Sequence, residues 1–151
     1  MSTRVVKALG MALFTLALAA CSRAEAPPPA SHSGHGKVYF VQPKNGATIK
    51  SMSTFEFGGD GVQIGAVPPG TITPEQVRAG ITHYHLGVDT DCLPTGVAIP
   101  KADPWIHFGD GKNVIEMSLK PGPHRLVLQS GDDLHRTVEG LCETINVTVV
   151  E

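Results

Sequence analysis

The chain has 151 residues, with 12 Lys and Arg against 14 Asp and Glu and a formal charge of −2. That length holds one domain and a connecting segment. With no basic run in its folded part, the chain reads against nucleic acid as a partner.

Arg4 and Lys7 precede an apolar run from Ala8 to Ala20 that is broken only by Gly10 and Thr15. At about 13 residues, the run falls short of the ~20 helical residues that cross a bilayer. A basic start followed by a short apolar stretch describes a secretory signal, residues 1–20. Leu18-Ala19-Ala20-Cys21 matches a lipobox, in which the Cys21 thiol is acylated and becomes the new N-terminus. Ser22 in place of Asp points to the outer membrane, on its periplasmic side, in a cell that has one. Arg4 and Lys7 leave with the signal while all 14 acids stay, which takes the formal charge to −4.

Residues 21–36 are rich in Pro, Ala, Ser and Gly, and read as a flexible tether. His32 and His35 within it read as polar spacer. The domain proper is expected over residues 37–151.

Val38 to Val41 is a β-rich run closed by Pro43 and an Asn45-Gly46 turn. Thr54 to Phe57 alternates with both Phe on one face, and Ile81 to Asp89 alternates as well. Val114 to Leu119 puts Ile115, Met117 and Leu119 together, and Arg125–Gln129 and Thr144–Val150 repeat the pattern. One helical turn is expected at Thr73-Pro74, ending before Gly80. About six short strands separated by Gly and Pro turns predict an all-β fold, a small antiparallel immunoglobulin-like sandwich. Cys92 and Cys142 form an even pair in an oxidising compartment and are expected to bond. Free buried thiols are the competing reading.

Seven histidines is a high count, and five lie in the domain. On the strand from Ile81 to Asp89, Tyr84, Leu86 and Val88 share the core side while His83 and His85 share the other. Two imidazoles at i and i+2 reach one cation if a neighbouring strand adds a ligand. His107, His124 and His135 are the available donors, with Asp89 as a further candidate. Neutral imidazole suits copper, zinc or nickel. His124 also reads as a corner residue bonded to backbone, and His135 as a surface-loop residue. Binding by such rings is expected to weaken below about pH 6, where imidazole takes up protons.

His83-x-His85 with Asp89 is similar to the first cupin motif, but the Glu and the glycine of that motif are missing, and so is the second motif. The bridging-histidine spacing of copper–zinc superoxide dismutase is missing too. No Gly-x-Ser-x-Gly or His-Glu-x-x-His occurs.

Four ordered blocks carry a resemblance. They are Val38-Tyr39-Phe40 with Pro43 to Thr48; His83-Tyr84-His85-Leu86 with Asp89; His107 to Gly111; and Pro121 to Leu128 with Gly131, Asp132 and His135. Together they resemble the bacterial domain of unknown function 4399, a family of secreted or lipid-anchored proteins. The resemblance extends over about Lys37 to Glu151. It implies a small β-sandwich with His83, His85, His107 and His135 at signature positions, and it implies no activity. The chain departs from the pattern in a longer stretch from Gln63 to Gly80, and in Tyr84, where a third His is common.

The residues thus lead to an expected lipid-anchored, non-enzymatic module holding copper or zinc. An interaction lipoprotein meeting an envelope protein or glycan through its histidines and Trp105 is the first alternative. A metal enzyme using Asp89, Asp91 or Asp110 as base is the second.

Overall fold

A computed structural model describes residues 36–151. The signal, Cys21, His32 and His35 lie outside the described residues.

The expected strands form, and they pack as a two-sheet sandwich. The first sheet is antiparallel, in the order β1 (Lys37–Gln42), β3 (Met52–Asp60), β7 (Val114–Ser118). The second runs β2 (Thr48–Lys50), β9 (Thr137–Val150), β8 (Gly122–Gly131), β5 (Ile81–Val88), β4 (Gln63–Ile64), with β6 (Trp105–His107) also paired to β5. Antiparallel pairing dominates. The short strands β2 and β4 instead pair parallel, with β9 and β5. The expected helical turn is a 3₁₀ turn, Pro74–Gln76, with the Gln76 side chain accepting from the Thr73 N–H at 2.8 Å.

The alternation read from the sequence fills the core between the sheets. Val38, Phe40, Phe55 and Phe57 from the first sheet meet Tyr84, Leu86, Leu126, Leu128, Ile145 and Val147 from the second. Phe57 sits at the centre, with the rings of Phe40, Tyr84 and Phe108 all between 5.4 and 5.7 Å away. Such edge and tilted aromatic contacts add about 0.5–1.5 kcal/mol each beyond the area they bury.

Two expectations change. Strand β9 begins at Thr137 rather than Thr144. Glu139-Gly140 interrupts the alternation, and Gly140 (φ +75°) takes up the irregularity inside a continuous strand. More consequentially, the second sheet has no open polar face where β5 and β8 cross it. Thr82 to Gly87 and Leu126 to Gly131 are buried without a break. Residues 89–104 fold over the outer face as a cover. A second apolar cluster of Ile99, Trp105 and Val127, with Leu93 and Cys142 packed against it, lies beneath that cover. Hydrogen bonds fasten it: Ile99 N–H to the His135 carbonyl at 2.8 Å, Gly96 N–H to the Thr137 carbonyl at 2.9 Å and Thr137 N–H to the Val97 carbonyl at 2.9 Å.

The disulfide expected between Cys92 and Cys142 is formed, and it pins the cover to β9. Closing a loop across a separation of 50 residues confers roughly 4 kcal/mol by restricting the unfolded chain. Cys92→Ser with Cys142→Ser is therefore expected to lower the unfolding free energy by about that much, read from urea denaturation midpoints.

Candidate metal centre

Four histidines converge beneath the cover. His83 and His85 project from β5 on the side away from Tyr84 and Leu86. His107 on β6 stands directly opposite His85 in the antiparallel register. His135 arrives from the turn after β8, in a left-handed conformation (φ +65°). Ring centroids lie 4.6 to 5.6 Å apart over all six pairs. One nitrogen from each ring can be chosen so that all four lie within 4.8 Å of one another.

The centre has a floor and a rim. His83 and His85 are only 1% and 0% exposed. Among the described residues, His83 Nε2 and both nitrogens of His85 have no hydrogen-bond partner. The rim rings, His107 and His135, meet at 2.9 Å between their Nε2 atoms, one donating to the other. Unpaired buried nitrogens cost about 1–3 kcal/mol each and need an explanation.

The electrostatics follow from this burial. Desolvation, reinforced by repulsion from His135 and His107, pushes His83 down to about 3. Desolvation and the other three rings push His85 down to about 2. His107 and His135 are also held below the ordinary imidazole value, by burial and then by Lys101. All four rings are therefore neutral at pH 7, the form that donates to a metal.

Backbone choices make room for the rings. A Cβ at Gly109 would collide with His107 Cε1 and come within 2.9 Å of Nε2. One at Gly131 would press to 3.1 Å on the His135 backbone. Gly131 therefore lets the Asp132–Arg136 turn fold back over the sheet. That turn is tied by two acids. Asp132 accepts from the Leu134 and Arg136 N–H groups, each at 2.9 Å, and pairs with the Arg136 guanidinium at 2.8 Å. Asp133 accepts from Arg78 Nε at 2.9 Å and Nη2 at 2.7 Å. Arg78 comes from the long stretch before β5, the same stretch in which the chain departs from the expected pattern. Gly109→Ala is expected to leave the fold intact but swing the flexible His107 ring aside. Titration calorimetry should then show zinc affinity reduced about tenfold or more, with unfolding free energy changed by less than about 1 kcal/mol.

His124 and Asp89 are not brought to the centre. The sequence offered them as additional ligands; the structure pairs them with each other at the corner between β5 and β8. His124 Nδ1 lies 2.8 Å from Asp89 Oδ2, and Nε2 lies 2.8 Å from the Lys120 carbonyl. Both ring nitrogens face acceptors, which suits the doubly protonated ring. Burial opposes that charge, but the Lys120 carbonyl and Asp89 carboxylate outweigh it and raise the pKa. A strand phase shared with Leu126 and Leu128 already marked His124 as a corner residue.

The supporting residues Arg78, Gly109, Gln129, Gly131, Asp132, Asp133 and Arg136 were not singled out as part of a site. The signals in the sequence were the dense run Gly131-Asp132-Asp133 ahead of His135, with Arg136 four residues after Asp132, and the place of Gly109, Gly131 and Asp132 in the blocks that carry the resemblance.

The family profile described as a domain of unknown function, DUF4399, matches residues 62–150. The match takes in β4 to β9 and all four clustered histidines; the Val38-Tyr39-Phe40 block lies ahead of it. Neither curated proteins nor solved structures show a match. On the strength of a match that covers more than half its length, the chain belongs to the DUF4399 family.

Proposed function

We propose that this protein is a non-enzymatic module that holds one transition-metal ion, copper or zinc, in a four-histidine centre outside the cytoplasm. One observation carries the reading: four neutral imidazoles converge, and the deepest of them has two buried nitrogens with no partner among the described residues. An all-nitrogen donor set favours copper, zinc or nickel over calcium or magnesium, which take oxygen. Tetrahedral zinc with bonds of about 2.0–2.1 Å spaces its nitrogens about 3.4 Å apart. Nitrogens already within 4.8 Å reach that spacing by side-chain shifts of about 1 Å.

Four protein ligands close a tetrahedral site, which favours holding an ion over activating water at it. The acids weighed as catalytic bases have other partners. Asp89 pairs with His124, Asp91 with Arg125 at 2.8 Å and Asp110 with Lys112 at 2.9 Å. The alternative of a contact surface made by the histidines and Trp105 loses its main residues, because Trp105, His83, His85 and His135 are buried. The signal and lipobox support export and a lipid anchor at Cys21, on the periplasmic side of an outer membrane.

Protein spanning Cys21 to Glu151, purified without a histidine tag, is expected to bind Cu(II) or Zn(II) at about one equivalent in titration calorimetry. His83→Ala with His85→Ala is expected to abolish that binding. Absence of heat, or unchanged binding in the double variant, would remove the proposal.

A further inference from the structure

The deepest ring of the centre has a polar cross-strand neighbour, Gln129, whose side chain bonds elsewhere. On the outer face of the second sheet, one row crosses four strands. Cys142 on β9 stands opposite Gln129 on β8, Gln129 opposite His85 on β5, and His85 opposite His107 on β6. At about 4.8 Å per strand, the disulfide is about 10 Å from His85.

Gln129 is the link. Its side chain is buried, yet its amide makes both of its hydrogen bonds with one backbone unit of the cover. Leu93 N–H donates to Oε1 at 2.9 Å, and Nε2 donates to the Leu93 carbonyl at 2.8 Å. Leu93 follows Cys92, so the disulfide holds that backbone unit in place. Gln129 bonds Leu93 and not His85, and among the described residues both His85 nitrogens are left without a partner.

We propose that the Cys92–Cys142 bond sets the metal affinity of the centre through Gln129, so that the ion is held while the bond is closed and released when a dithiol opens it. This rests on the metal-binding reading above. Cys92 is exposed, which gives a small dithiol access. A dithiol thiolate attacks one sulfur to form a mixed disulfide, and its second thiol displaces the protein sulfur. The protein disulfide is reduced by two electrons and gains two protons, while the dithiol leaves as its own disulfide. Leu93 then loses the covalent anchor beside it, while the hydrogen bonds of Gly96, Val97 and Ile99 still hold the rest of the cover. The freed Gln129 amide swings to its cross-strand neighbour and donates Nε2–H to a His85 lone pair that the ion uses. Gln129 is thus a positioning residue, one that competes for a ligand only when released.

Serine variants test this without thiols that bind metal. Cys92→Ser with Cys142→Ser is expected to bind Zn(II) roughly 10- to 100-fold more weakly than wild type, the scale of one competing buried hydrogen bond. Its Cu(II) electron paramagnetic resonance spectrum is expected to shift. Adding Gln129→Leu removes the competing amide and should restore zinc affinity to within about threefold, although the Cys92 end of the cover stays unfastened. A merely structural role for the bond predicts no such rescue. Wild-type affinity and an unchanged spectrum in the serine pair, or failure of Gln129→Leu to rescue it, overturns the coupling. Should the serine pair not fold, Leu93→Pro keeps the disulfide and removes the N–H on Oε1. Weaker zinc binding is then expected, and unchanged affinity overturns the coupling. A wild-type protein that binds no ion fails the metal reading itself, an outcome distinct from any of these.

Discussion

Replacing His85 with leucine is expected to stabilise the protein in chelator while abolishing its stabilisation by metal. The reason lies in what surrounds the ring. His85 is fully buried, packed against three other imidazoles, and neither nitrogen has a hydrogen-bond partner among the described residues. A buried polar atom without a partner costs about 1–3 kcal/mol, and an apolar side chain of similar size removes that cost. His85→Leu should therefore raise the melting temperature in chelator by several degrees, on the scale of about 4–8 °C per kcal/mol for a domain of about 100 residues. Wild type at a metal concentration 100 times its dissociation constant should gain about 2.7 kcal/mol, and the variant should gain nothing. Most core substitutions of this kind destabilise. A gain in stability paired with a loss of binding marks a residue kept for its ligand chemistry. A variant less stable than wild type in chelator would show that the ring is there for packing.

The second large effect is on pH dependence, and its sign differs between two classes of histidine. The buried rings have pKa values below their unfolded value of 6.5, about 3 for His83 and about 2 for His85. Between pH 6.5 and about 3 the unfolded chain takes up protons that the folded chain rejects. In chelator, their contribution is therefore complete above pH 6.5 and lost as pH falls. The two rings together approach about 3 kcal/mol per pH unit. Urea titrations at pH 7.5, 6 and 5 should show this loss, and His83→Leu with His85→Leu should flatten it. A wild-type curve as flat as that of the variant would contradict the burial of these rings. His124 has the opposite sign. Its raised pKa supports the fold below pH 6.5, and that support fades as pH rises through the raised value.

The same burial moves the expected acid limit of metal binding. Free imidazole loses a metal to protons below about pH 6. His83 and His85 stay neutral well below that value and keep their lone pairs. Zinc affinity at pH 5.5 is therefore expected to lie within about 10²-fold of that at pH 7.5, where four unperturbed imidazoles would lose about 10⁴-fold.

Much of this molecule was legible in the chain. Alternation assigned the core faces of β3, β5 and β7, because one-sided burial in a strand imposes a period of two. The i and i+2 placement of His83 and His85 follows from that period, and Tyr84 between them belongs to the core. Two cysteines left in a chain whose N-terminus reads as an export signal were enough to expect the disulfide. The resemblance in four ordered blocks anticipated both the family and the four clustered histidines.

Tertiary structure decided the environment of the histidines. Alternation separates the two faces of a strand, but it does not say whether the polar face meets water. Here residues 89–104 close over it, led there by Cys92, Leu93 and Ile99, whose partners lie about 35 to 50 residues away in sequence. No local pattern encodes contacts at that separation. His124 and His135 show the same limit. One is drawn to Asp89 at a corner and the other is folded back over Gly131 into the centre, and only the path of β8 between them decides which histidine becomes a candidate ligand.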